Sequence, residues 1–198
     1  MKYAFRVLVA IFSFGPLTVH AAQYQIGFRA SHEAVETDFT YMRESIHGGL
    51  STGLGLVYNK DDYTIVRGGF MLASNPFLPG LRYGVGFEPA FGKFDNAKDR
   101  RDGDLLAFGF LLQMAYDLYT SDLKVPVDLV AELTYAPDPL TSHESTMYGG
   151  ARLSCEYRIL TNAGISLEYR YLRVTFDDNG GDWTVSDHTC LLGYTMRF

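Results

Sequence analysis

From Tyr24 to the last residue, apolar and polar side chains alternate with a period of two, and the spacing of an amphipathic helix is hard to find. At the end of the chain, Cys190, Leu192, Tyr194, Met196 and Phe198 share one face. Thr189, Gly193, Thr195 and Arg197 share the other, with Leu191 as the exception. The same pattern recurs upstream. Ile165, Leu167, Tyr169 and Tyr171 oppose Ser166, Glu168 and Arg170, and Leu153, Cys155, Tyr157 and Ile159 oppose Arg152, Ser154, Glu156 and Arg158. Leu129, Leu133 and Tyr135 oppose Asp128, Glu132 and Thr134, and Leu106 to Tyr116 alternate around Gly109 and Gln113. Tyr83, Val85, Phe87 and Phe91 oppose Arg82, Gly84, Gly86, Glu88 and Gly92. Val66, Phe70 and Leu72 oppose Arg67 and Gly69, Leu50 to Tyr58 alternate with Gly49, Gly53 and Gly55, and Thr37, Phe39 and Tyr41 oppose Glu36 and Asp38. These nine segments predict nine strands.

In each, one face is apolar with aromatics toward the ends, and the other is charged, small or glycine. That is the pattern of a membrane barrel with a lipid-facing band and a polar interior. A soluble sandwich or ligand-binding barrel also alternates, with its apolar face inward, and remains the alternative. The longest uninterrupted hydrophobic stretch after residue 22 is Leu105 to Leu112, if Gly109 is allowed, too short for a spanning helix. The other structure that satisfies all backbone polar groups in lipid is a closed barrel.

Residues 1–21 read as a cleaved signal peptide: Lys2 and Arg6, an apolar core from Val7 to Phe14, the breaker Gly15-Pro16, and Val19-His20-Ala21 at the cleavage site. Residues 22–198 then form one barrel domain. The links 73–81, 117–126 and 160–164 are short or compact, whereas 92–104, 136–146 and 177–183 are longer and polar. Tight periplasmic turns and larger outer loops would alternate in this way. With the C-terminus periplasmic, the strand at 35–42 runs inward and needs an outward partner before it. Tyr24, Ile26 and Phe28, alternating with Gln25, Gly27 and Arg29, supply one. The expected fold class is therefore all-β: a transmembrane antiparallel up-and-down barrel of ten strands, with eight as the alternative. Gly193, Met196 and the terminal Phe198 resemble the C-terminal signal read by the barrel insertion machinery, although Leu191 stands where a polar residue is usual.

The second half, residues 127–198, resembles the YfaZ-like outer-membrane proteins. The likeness lies in Tyr135-Ala136-Pro137-Asp138-Pro139-Leu140, Tyr148-Gly149-Gly150-Ala151-Arg152, Ile165-Ser166-Leu167-Glu168-Tyr169-Arg170-Tyr171-Leu172 and the Phe198 ending. Upstream it is limited to glycine-rich alternating strands. The resemblance implies a fold and an outer-membrane location, and carries over no functional residue.

Charge and chemistry refine this picture. The chain holds 17 basic and 23 acidic residues; removing Lys2 and Arg6 leaves 15 and a net charge of −8. That balance argues against nucleic acid as a partner. Asp128, Glu132, Arg152, Glu156, Arg158, Glu168, Arg170 and Arg197 all fall on the expected inner face of the last four strands. They would form either a charged pore lining or, as expected of a narrow barrel, an interior ion-pair network. Cys155 and Cys190 point outward on strands separated by a third, too far apart for a disulfide, so two free thiols are expected. His143, Glu144 and Ser145 sit together in an outer loop and read as a polar loop rather than a hydrolytic triad. His32, His47 and His188 lack metal-ligand spacing, Gly53-Leu54-Gly55 lies within a strand, and Arg100-Arg101 is a short basic spot in a loop. No cofactor is expected. The resulting reading is a monomeric, non-enzymatic outer-membrane barrel with a structural, small-pore or surface-binding role, in contact with membrane lipid and lipopolysaccharide. A lipid-modifying enzyme and a soluble periplasmic barrel binding an apolar ligand are the alternatives.

Overall fold

The computed structural model describes residues 22–45, 48–60, 62–74, 78–96, 101–177 and 181–198. The expected signal peptide, His47 and Arg100 lie outside them. The strands are β1 (Ala22–Ala30), β2 (Ala34–Ser45), β3 (Gly48–Asn59), β4 (Tyr63–Ser74), β5 (Leu81–Asn96) and β6 (Arg101–Asp117), then β7 (Val127–Ala136), the short β8 (Thr141–His143), β9 (Ser145–Leu160), β10 (Ala163–Phe176) and β11 (Trp183–Arg197). Among the described residues the one helical segment is a 3-10 turn at Asp138–Leu140.

Consecutive strands pair antiparallel except around the short β8, where β7 pairs with β9, and β11 returns to β1 from Gln25↔Arg197 to Ala30↔Leu192. Below that register the Tyr24 N–H donates to the Phe198 carbonyl (3.1 Å) and the Phe198 N–H to that of Tyr24 (2.8 Å). The sheet is thus closed on itself, which removes the free edges that make sheets associate. β8 is not a wall strand. Pairing of β6 with β7 stops at Phe110↔Tyr135, and β8 covers part of the remaining length of β6 through Leu105↔His143 to Ala107↔Thr141. The wall therefore has ten strands, with both chain ends of the barrel at one rim, the terminus end; the opposite rim is the loop end.

The period-two pattern decides which side chains leave the wall. Leu72, Leu112, Leu133, Leu153, Leu167 and Leu192 point outward and are 54–64% exposed. On the same strands Arg67, Glu132, Arg152 and Glu168 point into a closed interior. Outward tyrosines ring the terminus end: Tyr24, Tyr41, Tyr83, Tyr116, Tyr157 and Tyr194. Tyr58, Phe91, Tyr135 and Tyr171 face outward toward the loop end. Along the strands the rings lie six to eight residues apart, eight from Tyr83 to Phe91, which at ~3.3 Å per residue and ~40° tilt separates them by about 15–20 Å, inside the ~25 Å apolar band of a membrane barrel. The apolar-out orientation excludes a fold that hides its greasy face inside.

Two expectations about the links fail. β5 and β6 run into the charged region expected to be a loop over 92–104, leaving 97–100 between them. Gly92, Phe94, Gly103 and Leu105 continue the inward alternation there, so packing prevails over surface charge. The loop end is also not uniformly the long-looped end. The longest link, 118–126, lies at the terminus end. It is held compact because the Asp117 carboxylate accepts the Tyr119 N–H (2.9 Å), the Thr120 N–H (3.2 Å) and the Thr120 hydroxyl (2.9 Å).

Candidate functional site

The lumen is stacked in three layers. At the loop end, Val57, Tyr63, Ile65, Ala90, Phe94, Leu105, Ala107, Ala136, Tyr148, Leu172, Val174 and Phe176 form one buried apolar cluster contributed by seven wall strands. Trp183 stacks on Phe176 with ring centroids 4.4 Å apart, and Phe94 meets Phe176 edge-on at 5.2 Å. These side chains face each other across the barrel and fill it. The sequence reading of a polar interior along the whole strand is corrected here: the inward face changes from charged to apolar toward the loop end.

Beneath the plug lies a charge cluster centred on Glu36, which is wholly buried. Its carboxylate pairs with Arg67, with Arg152 at 2.6 Å, with Arg170 at 3.1 Å and with Arg29 at 3.6 Å. The arginines are shared outward in turn. Arg29 pairs with Asp38 and, through Nε at 3.1 Å, with Glu168. Arg67 reaches Glu88 at 3.4 Å, and Arg170 reaches Asp187 at 3.2 Å. Glu132 stands further off, 3.8 Å from Arg152 and 3.9 Å from Arg67. Burying so many charges is tolerable only because each has opposite charges within reach, although the Nε atoms of Arg67 and Arg170 and Oε1 of Glu168 are buried without a hydrogen-bond partner. Two buried tyrosines join this layer to the plug: the Tyr148 hydroxyl donates to Glu88 (2.8 Å), and the Tyr63 hydroxyl bonds Asp187 while its ring lies 5.9 Å from the Arg170 guanidinium carbon.

The third layer, toward the terminus end, is a polar cavity of about 500 Å³ that opens at that rim. Gln23, Gln25, Thr40, Ser51, Gln113 and Ser154 line it among charged groups. Arg158 bridges Asp128 and Asp117, the latter at 2.7 Å, while Arg197 pairs with Glu156 and lies 4.0 Å from Asp128.

The eight charged residues singled out from the sequence therefore divide into two groups. Glu132, Arg152, Glu168 and Arg170 join the central cluster, the first three also forming the inner wall of the open cavity, and Asp128, Glu156, Arg158 and Arg197 line that cavity nearer its mouth. Sequence reasoning missed the hub, Glu36, and its companions Arg29, Asp38, Arg67, Glu88 and Asp187. Their signal was present, because all occupy the polar parity of their strands. What alternation lacks is the pairing across the lumen, which joins Glu36 to Arg170 over 134 positions.

Inward glycines make room for these long side chains. A methyl at Gly193 would stand 2.5 Å from Arg29 Cγ and 2.7 Å from the Ser166 hydroxyl, and one at Gly27 would stand 2.5 Å from Asp38. Gly193 thus has a packing role in the wall, whatever it contributes to insertion. Met196 and the 63%-exposed Phe198 follow it at the rim.

Outside the lumen, Cys155 and Cys190 are free, exposed thiols on β9 and β11. Of the loop candidates, Ser145 is buried and its hydroxyl donates to the Ser142 carbonyl (2.9 Å), while Glu144 accepts the Asp104 N–H (3.2 Å). Both hold the turn together. The His143 side chain lies outside the description.

No family model matches the sequence, and no curated protein is similar to it. Similarity to solved structures is distant. A structure from work on the mechanism behind in-meso crystallization of membrane proteins is 11% identical, with 90% of this chain and 83% of that one covered and a TM-score of 0.45. Ail, the attachment invasion locus protein of Yersinia pestis, is 11% identical over 89% of this chain and 95% of its own, with a TM-score of 0.25. At such distances they add nothing to what the barrel's own geometry shows.

Proposed function

We propose that this chain is a monomeric, non-enzymatic outer-membrane barrel whose lumen does not conduct, and which acts through its wall and outer rim in a structural or surface-binding role. The observation that carries the reading is the apolar plug: Phe94, Val174 and Phe176 are at most 1% exposed and block the loop end of the lumen. The outward apolar band between two aromatic rings supports placement in a membrane. Under this reading residues 1–21 are the export signal, the terminus end is periplasmic, and Gly193, Met196 and Phe198 address the chain to the insertion machinery. Kinship with the YfaZ-like proteins belongs to the same proposal and rests on the motifs of residues 127–198.

Planar-bilayer recording of the refolded protein tests it. Wild type should give no discrete conductance steps, and the double variant Phe94→Ala/Phe176→Ala should give measurable leak. Ohmic steps from wild type, unchanged by the double variant, would restore the small-pore reading.

A further inference from the structure

Among the described residues, two wall-strand cations face outward near the loop end, Arg173 and Lys93, and they differ in what stands opposite them. Arg173 points outward and is exposed near the loop end of β10. Its cross-strand neighbours are Gly149 on β9 and Ser186 on β11, and it has no acidic partner among the described residues. Outward Lys93, at the same end of the barrel, stands opposite Asp104. Leaving an arginine uncompensated on a chain of net charge −6 invites an anion from outside the protein.

Its surroundings say which anion. Below Arg173 on the same face come Tyr171, Tyr169 and Leu167, so cation, aromatic and apolar levels follow one another down the wall as at a lipid headgroup boundary. His188 pairs across from Tyr171, with ring centroids 4.8 Å apart, which puts it diagonally beside Arg173. The His188 Nδ1 is engaged by the Tyr169 hydroxyl (2.7 Å), leaving Nε2 as the ring's remaining polar atom. On the other side, Gly149 and Ala151 lie opposite Arg173 and Tyr171, making a shallow floor bounded beyond Gly149 by the Tyr135 ring. Larger side chains occupy the neighbouring levels, Met147 above and Leu153 below.

We propose that Arg173 and His188 bind the phosphate of an anionic membrane lipid whose chain lies along the Gly149–Ala151 floor. This rests on the reading of the barrel as membrane-spanning.

The test uses the full chain folded in a neutral detergent, with native mass spectrometry of adducts formed with a phosphatidylglycerol and with a phosphatidylcholine of the same chains. Wild type should retain the anionic lipid about fivefold better, as expected for one basic residue at a charged headgroup. Arg173→Gln should abolish the preference and His188→Phe should reduce it. Arg173→Lys, which keeps the charge, should retain it, as should Lys124→Gln at the opposite rim. Heat-shifted gel mobility checks that each variant is folded. A wild type without preference, or a folded Arg173→Gln that keeps it, overturns the site while leaving the barrel reading intact. Displacement of the lipid by an equal concentration of glycerol phosphate would make a soluble phosphate the ligand and also overturn it. A wild type that dissolves without detergent overturns both readings.

Discussion

The two ends of the lumen are walled by the same strands and filled differently. Toward the loop end, β9 and β10 send in Tyr148, Leu172, Val174 and Phe176, which belong to one buried apolar cluster and leave only a cavity of about 20 Å³ beside Tyr148 and Leu172. Toward the terminus end, the same two strands send in Ser154, Glu156, Arg158 and Glu168 around a cavity of about 500 Å³. Between them lies the Glu36 cluster, the boundary where apolar packing gives way to ion pairs. The difference shows that an alternating strand fixes only which side chains point inward. What the inward set does depends on how its composition changes along the strand, and here it changes from sealing to solvation within a few residues.

The comparison can be broken first at its boundary. Glu36→Gln leaves Arg29, Arg67, Arg152 and Arg170 around an uncharged amide. Removing one partner of a buried ionic group costs about 3–5 kcal/mol, so urea unfolding in detergent should show the largest loss here. Glu132→Gln should cost clearly less, since its nearest guanidinium nitrogen is 3.8 Å away and it is partly exposed. In the plug, Phe176→Ala should cost about 3 kcal/mol for the cavity it leaves among Phe94, Val174 and Trp183, measured in the same way. Gly193→Ala tests the packing of the wall itself. Its methyl would force Arg29 and Ser166 aside, at a cost of about 1–3 kcal/mol. At the terminus rim, Arg82→Ala removes a pair with Glu44 (2.9 Å) whose side chains are 44% and 62% exposed, and should change stability by less than about 1 kcal/mol. An order reversed between Glu36 and Arg82 would mean that the central cluster is hydrated rather than sealed.

Much of this was legible in the sequence. The outward set, from Tyr24 and Ile26 on β1 to Cys190 and Leu192 on β11, follows from period two alone, and the need for a tenth strand before residue 35 follows from counting strand directions back from the C-terminus. The plug was half legible. Leu56-Val57-Tyr58, Ile65-Val66 and Leu105-Leu106-Ala107-Phe108 are runs in which both faces are apolar, the mark of strand segments buried on both sides. Alternation uses only their outward residues, because a single strand does not reveal what meets it across the barrel. The hub at Glu36 was illegible for the same reason. Its partners come from β1, β4, β9 and β10, and closure of the sheet brings them within reach. The extent of β5 and β6 was misjudged because the charges at Lys93, Asp95 and Asp104 lie on the outer face, where they leave strand pairing undisturbed.

The account stands on the greasy side of the wall meeting hydrocarbon while the opposite side is enclosed. Brominated-lipid quenching of a single tryptophan measures this directly, in a Trp183→Phe background with the reporter placed either outward at Phe110→Trp or inward at Val130→Trp in the cavity. Strong quenching at position 110 and little at position 130 is the predicted result; strong quenching at 130 with none at 110 would contradict it.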